Sequence, residues 1–261
     1  MSNPEPLLDP YDDDGAPVDL ADPAGAQAAA SALLEAVARE RGLDVHRLDE
    51  EIVVCDDGQH RVLFHGLVSS ASGRVAQVLC GNDAWLRGHL ARHGLPVVDT
   101  RLVWLDDARF ALREAEELGF PQRLRLAGAP EATAAGAADR TATDVDSFHR
   151  AWLALVDAAP DDRCQVILEH RPPGPVVDVA VVGDEVVALA GTGPNGVGSL
   201  ALRAVSALPN AASGSVRIAV GGPQPLIDTV DLSMGHWVGQ QDPDRARVVV
   251  AVLADSFGAG G

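Results

Sequence analysis

The chain has 261 residues, a formal net charge of -18 and no lysine, all 20 of its basic residues being arginine. Such an anionic surface disfavours nucleic acid and anionic membrane as main partners, because both need basic groups to displace counterions or meet headgroups. A hydrophobic content of 47% suffices for a sizeable core. No apolar run approaches the roughly 20 residues that cross a bilayer, and the N-terminus lacks the basic-then-apolar order of a signal peptide, so a cytoplasmic protein is expected.

Residues 1–22 are proline-rich, carry the run Asp12-Asp13-Asp14 and offer few apolar anchors, which predicts a disordered acidic tail. The run lacks the spaced oxygens and glycine of a calcium loop. An Ala-rich segment from Ala24 to Arg41, with Leu33, Leu34, Val37 and Ala38 at helical spacing, predicts a helix closed by Gly42. Asp44 to Phe64 reads as a β-hairpin around the turn signal Asp56-Asp57-Gly58. A helix from Asn82 to His93 closes at Gly94; a strand from Arg101 to Leu105 then leads through Asp106-Asp107 into a helix ending near Leu118-Gly119.

Residues 122–126 form a short strand, and the small-residue stretch Ala127 to Thr143 reads as a mobile loop, with a lid as one use for it. A helix follows from Asp144 to Ala158, then strands Gln165 to Glu169, Val176 to Val182 and Glu185 to Ala190. The turn Gly183-Asp184 makes the last two antiparallel. A helix at Val197 to Ala207, strands Ser215 to Val220 and Pro225 to Val230, and a helix from Asp244 to Phe257 complete the pattern. Helices mixed with antiparallel pairs indicate α+β layers.

Several candidate sites resolve into structural features. Cys55, Cys80 and Cys164 are widely spaced in apolar stretches, as reduced core thiols are. Gly191-Thr192-Gly193-Pro194-Asn195-Gly196 has the spacing of a dinucleotide loop, yet its preceding strand belongs to an antiparallel hairpin and no acidic residue ends a strand about 20 residues on, so it reads as a connecting turn. His89 and His93 lie four apart on one helix without a third metal ligand nearby. Ser69 to Ser72 cannot be joined to a histidine and an acid, so no hydrolase role is assigned.

Three phrases occur in a telling order: Gly94-Leu95-Pro96-Val97 before a strand, Leu118-Gly119-Phe120-Pro121 before the next, and Val166-Ile167-Leu168-Glu169 followed five residues later by Gly174. In this order, over residues 25–257, the chain resembles the ATP-grasp ligases, in the branch of cyanophycin synthetase, glutathione ligase and D-alanine:D-alanine ligase. The resemblance implies an α+β, ATP-grasp-like fold: a pre-domain at 23–95, a lid subdomain at 96–165 and a C-terminal subdomain at 166–261, with a cleft between the last two. Each motif is short; the order carries the likeness.

The resemblance also implies a site for ATP and magnesium and says where its parts fall. The family's first phosphate-contacting lysine falls on or next to Asp83, where a carboxylate would repel phosphate. The second falls on Arg125, whose fork suits a phosphate. Glu169 takes the place of the glutamate that contacts the nucleotide near adenine and ribose. Where the family carries a magnesium-binding aspartate this chain has Arg217, and in place of the next acid pair it reads Ile227-Asp228-Thr229-Val230-Asp231, leaving Asp228 and Asp231 as candidate metal ligands. An arginine that the family carries after the hairpin is replaced in Ala190-Gly191-Thr192-Gly193-Pro194. His236-Trp237 falls near the mouth of the cleft, where packing of Trp237 is an equal reading.

Two functions follow as expectations: a protein whose ATP-dependent ligation is lost or strongly impaired, serving as a binding or partner subunit, for instance beside an active ligase; or a working carboxylate-amine ligase with diverged ligands and a small-molecule substrate. A small-molecule binding module without nucleotide is a third. Arg217 discriminates, because a competent metal site excludes a cation; convergence of Asp228 and Asp231 would favour the enzyme.

Overall fold

In the computed structural model, residues 23–127, 140–160, 163–170, 174–234, 237 and 243–256 are described. The acidic run at 12–14, His236 and most of the loop read at 127–143 lie outside them. The chain begins with helix α1 (Pro23–Glu40) and an antiparallel meander, β1 (Asp44–Arg47), β2 (Ile52–Asp56), β3 (Arg61–His65) and β4 (Val68–Ser69), in which neighbours in sequence pair in space. The turn at Asp56-Asp57-Gly58 forms as expected: Gly58 has φ +87°, and the carboxylate of Asp57 accepts from the backbone N–H groups of Gln59 and His60 at 2.7 and 2.6 Å. Side-chain oxygens mimicking a turn in this way are why Asp and Gly cluster there.

Helices α2 (Arg74–Cys80) and α3 (Asp83–Arg92) follow. Asn82 caps α3, its side chain accepting from the N–H groups of Ala84 and Trp85 at 3.1 and 3.2 Å, and Asp83 places an acid at the positive end of the helix dipole. The short α2 has no side-chain cap at Gly73, and nothing in its sequence announces it.

The second sheet holds β5 (Asp99–Trp104), β6 (Gln122–Leu126), β7 (Arg140–Ala142) and β8 (Gln165–His170) in the order β5-β8-β6-β7, all antiparallel. Helices α4 (Ala108–Leu118) and α5 (Val145–Ala158) cover one face, burying Ala111, Ala115, Phe148 and Trp152 against Leu124, Val166 and Leu168. Asp144 and Ser147 form a reciprocal capping box that starts α5.

The third sheet holds β9 (Val176–Val182), β10 (Glu185–Ala190), β11 (Ser213–Ala219) and β12 (Leu226–Asp231) in the order β10-β9-β11-β12, again antiparallel. The β9–β10 hairpin turns at Gly183 (φ +57°), as Gly183-Asp184 predicts. Helix α6 (Val197–Ser206) packs on one face through Val197, Leu200, Ala201 and Val205, joined there by Leu86 and Leu90 of α3. The other face meets α1 and the last helix, α7 (Pro243–Asp255), with Trp237 fully buried between and donating to Ser215 Oγ at 2.7 Å. Because this core draws on residues from 29 to 67 and from 180 to 253, the N-terminal segment shares its core with the third sheet.

All three cysteines are free. Burial pushes the Cys55 thiol up to about 11 and the Cys80 thiol up to about 12, the latter with help from Asp231 and Asp83. No described helix is long and apolar enough to cross a membrane.

Candidate functional site

Alternation along the second sheet sorts its residues by face. Leu124, Val166 and Leu168 go into the core under α4 and α5, so Arg123, Arg125, Ile167 and Glu169 occupy the opposite face. The register places Arg123 directly opposite Glu169, and Thr100 of β5 opposite Glu169 on its other side. Helix α3 brings Asp83 and Arg87, four residues and hence about one turn apart, against this face. Strand β12 adds Asp228 and Thr229. Asp228 sits at a β-bulge, where the register shifts between Thr229, opposite Arg217, and Ile227, opposite Ile218.

These residues form one continuous ion-pair network. Glu169 is fully buried, and its Oε1 accepts from Arg125 Nε at 2.9 Å and lies 2.9 Å from Arg125 Nη2 and 3.1 Å from Arg87 Nη1. Arg125 Nη2 also pairs with Asp83, whose other oxygen accepts from Thr229 Oγ1 at 2.7 Å. Arg87 Nε donates to the Asp228 backbone carbonyl at 2.7 Å, its Nη2 to the Asp228 carboxylate at 2.9 Å and its Nη1 to Thr100 Oγ1 at 2.7 Å. Arg123 Nη1 lies 3.9 Å from Glu169 Oε2, an oxygen that is buried without a hydrogen-bond partner.

Burial works against the charge of Glu169, but Arg87, Arg125 and Arg123 outweigh it and hold the carboxyl below its ordinary value. Burial likewise opposes the charge of Arg87, and Glu169, Asp228 and Asp83 hold it above its usual range. Among the described residues, three carboxylates (Asp83, Glu169, Asp228) meet three guanidinium groups (Arg87, Arg123, Arg125) in this network.

Of the residues expected at a nucleotide site, Arg125, Glu169 and Asp228 are thus brought together, while Asp231 accepts from the Ser233 N–H and hydroxyl at 2.8 and 2.7 Å, in the wall of a cleft of about 460 Å³ beside β3 and β4. Asp83, read as an obstacle to phosphate, is a partner of Arg125. Arg217 pairs across the β9–β11 ladder with Asp178, Nε to Oδ1 at 3.0 Å. Arg87 was not singled out by its sequence. Its main partner lies 141 residues away, so the only local signal is its spacing from Asp83.

The donor set does not fit a magnesium-bound nucleotide. Magnesium needs oxygens in near-octahedral array, and the Asp228 carboxylate is taken by a guanidinium. Among the described residues no three His, Cys, Asp or Glu side chains gather to hold a metal ion. A triphosphate at Arg125 would have to displace both Glu169 and Asp83 from it. His89 and His93 stack with ring centres 4.4 Å apart, His89 bonded to the Ala207 carbonyl, and Gly191 to Gly196 form the turn into α6.

No family model matches the sequence, and no curated protein is significantly similar to it. Solved structures are similar in fold. A RimK domain ATP-grasp protein from Sphaerobacter thermophilus aligns at 22% identity and TM-score 0.52, over 69% of this chain and 68% of its own. A D-alanine–D-alanine ligase from Bacillus anthracis, solved in complex with ATP, aligns at 14% identity and TM-score 0.54 over 71% and 66%. The ATP-grasp ligase PsnB, complexed with precursor peptide PsnA2 and AMPPNP, aligns at 18% identity and TM-score 0.52 over 70% and 59%, so the chain spans less than two thirds of either ligase's length. With its three antiparallel sheets in this order, the chain has an ATP-grasp-like fold.

Proposed function

We propose that this chain is an ATP-grasp-like protein in which ATP-dependent ligation is lost or strongly impaired, and that it works in the cytoplasm as a binding or partner subunit, for instance beside an active ligase. The single observation that carries this reading is the commitment of Arg125 and Glu169 to each other, with Asp83, Arg87 and Asp228 completing the network. Acyl phosphate chemistry rests on positioning and on neutralising charge that develops on phosphoryl oxygens. Charged groups already paired with one another offer little of either. Loss of one such donor costs about 3 to 4 kcal/mol, and here a lysine position, a second lysine position and a metal-binding aspartate are all replaced.

The second reading, a carboxylate-amine ligase with Arg125 on phosphate, Glu169 on the nucleoside and Asp228 with Asp231 on magnesium, has one observation in its favour. Glu169 Oε2 is a buried acceptor without a hydrogen bond, as an oxygen awaiting a ligand hydroxyl would be. It requires Arg87 to release Asp228 and Arg125 to release Asp83. The experiment that separates the two is release of ADP and phosphate from ATP and magnesium with mixed amino-acid and peptide acceptors. No turnover above a no-enzyme control is expected, and turnover abolished by Arg125→Ala would establish the second reading instead.

A further inference from the structure

The N-terminal meander sends Val53 and Phe64 into the core with α1 and turns its other face to a cleft. Pairing sets Ile52, His65 and Val68 side by side across β2, β3 and β4, and alternation along β3 puts Leu63 on the same face as His65. Leu63 is 41% exposed there. With α2 and the end of β12, where Leu232 adds to the apolar wall, this face encloses about 460 Å³. Small-molecule sites run from roughly 300 to 1,000 Å³ and are mostly apolar, with a few polar groups that fix the ligand.

The polar groups in this cleft are of one kind. The Asp231 carboxylate is oriented by the Ser233 N–H and hydroxyl, which leave the site walled by an ionised acceptor. Ser69 also lines the cleft; it is 1% exposed, and its Oγ has no hydrogen-bond partner among the described residues. A buried hydroxyl in that state costs free energy until a donor or acceptor reaches it. Cys80 stands in the same wall, its thiol pushed up to about 12, chiefly by burial, with Asp231 and then Asp83 adding to the effect. None of the described residues lining the cleft is an arginine, and the chain has no lysine. His65 lines it with Nε2 bonded to a Glu51 carboxylate oxygen at 2.6 Å. The lining therefore suits a cation and offers no fork for a phosphate or a carboxylate.

We propose that this cleft binds a small apolar monoamine that carries no anionic group: its body rests on Ile52, Leu63, Val68 and Leu232, and its ammonium is held by the Asp231 carboxylate, with Ser69 Oγ as a second acceptor. Between apolar walls a charge-assisted bond of this kind is stronger than in open water. An amino acid would bring its own carboxylate beside Asp231 with no arginine to receive it, and like charges so placed repel. The inference goes beyond the proposed function: it gives the chain a ligand, and it does not rest on loss of ligation.

The test is titration of the full chain with phenethylamine, phenethyl alcohol, 3-phenylpropionate and phenylalanine, read by calorimetry and by the methyl NMR signals of Ile52, Leu63, Val68 and Leu232. Expected are saturable binding of one phenethylamine per chain with shifts of those methyl signals, binding of the alcohol weaker by about tenfold or more, and no binding of the propionate or of phenylalanine at the same concentrations. Asp231→Asn keeps Oδ1 for Ser233 and should weaken the amine about tenfold or more while leaving the alcohol unchanged. Ser69→Ala should weaken the amine roughly threefold to tenfold and leave Tm unchanged or raised, because the hydroxyl it removes bonds to nothing in the free chain. Leu63→Trp, at an exposed position, should fill the cleft and abolish binding.

Absence of saturable phenethylamine binding, or an alcohol or propionate that binds as tightly as the amine, would overturn the assignment. So would amine binding that Leu63→Trp or Asp231→Asn leaves intact. ATP is absent throughout, so ATP turnover by the wild-type chain would refute the proposed function and leave this titration as measured.

Discussion

Arg87 and Asp228 meet twice, once through the backbone carbonyl of Asp228 at 2.7 Å and once through its carboxylate at 2.9 Å, although 141 residues separate them. Asp228 sits at the bulge in the β11–β12 ladder and offers both acceptors on one residue. From this pair the network runs through Glu169 to Arg125 and Asp83, so one helix and two sheets share a set of buried charges. Their energetic weight lies less in attraction than in the cost of leaving any one of them alone.

Glu169→Gln removes the negative centre and leaves Arg87 and Arg125 with one carboxylate partner each. Breaking a buried pair in this way costs about 3 to 5 kcal/mol. A urea midpoint lowered accordingly, with an unchanged slope, is the expected outcome. A loss below about 1 kcal/mol would mean that water reaches the cluster.

Arg217→Ala should behave differently. Its side chain is 20% exposed and its partner Asp178 is 14% exposed, a half-buried cross-strand pair, where Glu169 is fully buried. Such pairs contribute up to about 1 kcal/mol, and 1 M salt should erase most of that difference while leaving the Glu169→Gln effect nearly intact. Parallel unfolding curves in low and high salt would show the contrast.

Acid should weaken the fold through Glu169. Its folded-state pKa lies below its ordinary value, so its contribution is fully present above the unfolded value of about 4.3 and is lost as pH falls through the folded value. Asp56, Asp57 and Asp144 are lowered too, chiefly by hydrogen bonds from Gly58, His60 and Ser147 respectively, and titrate in the same acid range. The stability difference between wild type and Glu169→Gln isolates the buried group: constant from pH 7 to about 5, and shrinking below about 4. A difference that grew on acidification would contradict the assignment.

Gly174→Ala tests the close approach of Gly174 to Gly221. Gly174 has φ +133°, and a Cβ there would lie 2.6 Å from the Gly221 Cα, a backbone atom that cannot swing aside. The expected loss is about 1 to 3 kcal/mol by chemical denaturation. Alanine at Gly183, whose Cβ would meet nothing within 4 Å, should cost less.

The order of elements was legible because local signals mark their ends: Gly42 after α1, Gly183 in the β9–β10 hairpin, Asp107 accepting from the Phe110 N–H at the start of α4. Helix α2 and strand β7 were not, since α2 has no capping side chain and β7 is three residues within a small-residue stretch. In the site, Arg125 and Glu169 were placed in one cleft by motif order alone. What they do there was hidden, because the sequence does not say that α3 turns Asp83 and Arg87 onto them. A charged pair four apart on a helix usually faces solvent. That Arg217 stands where the resemblance expects an aspartate was plain, yet its pairing with Asp178 depends on the β9–β11 register, which only the assembled sheet fixes.

The most direct measurement is calorimetric titration of the full chain with ATP, with and without magnesium. The network of Arg87, Arg125, Glu169, Asp83 and Asp228 predicts no saturable heat in either condition, and no change of Tm at millimolar ATP. Tight, magnesium-dependent binding would contradict the account, since it would require these charges to part and Asp228 to pass from Arg87 to a metal ion.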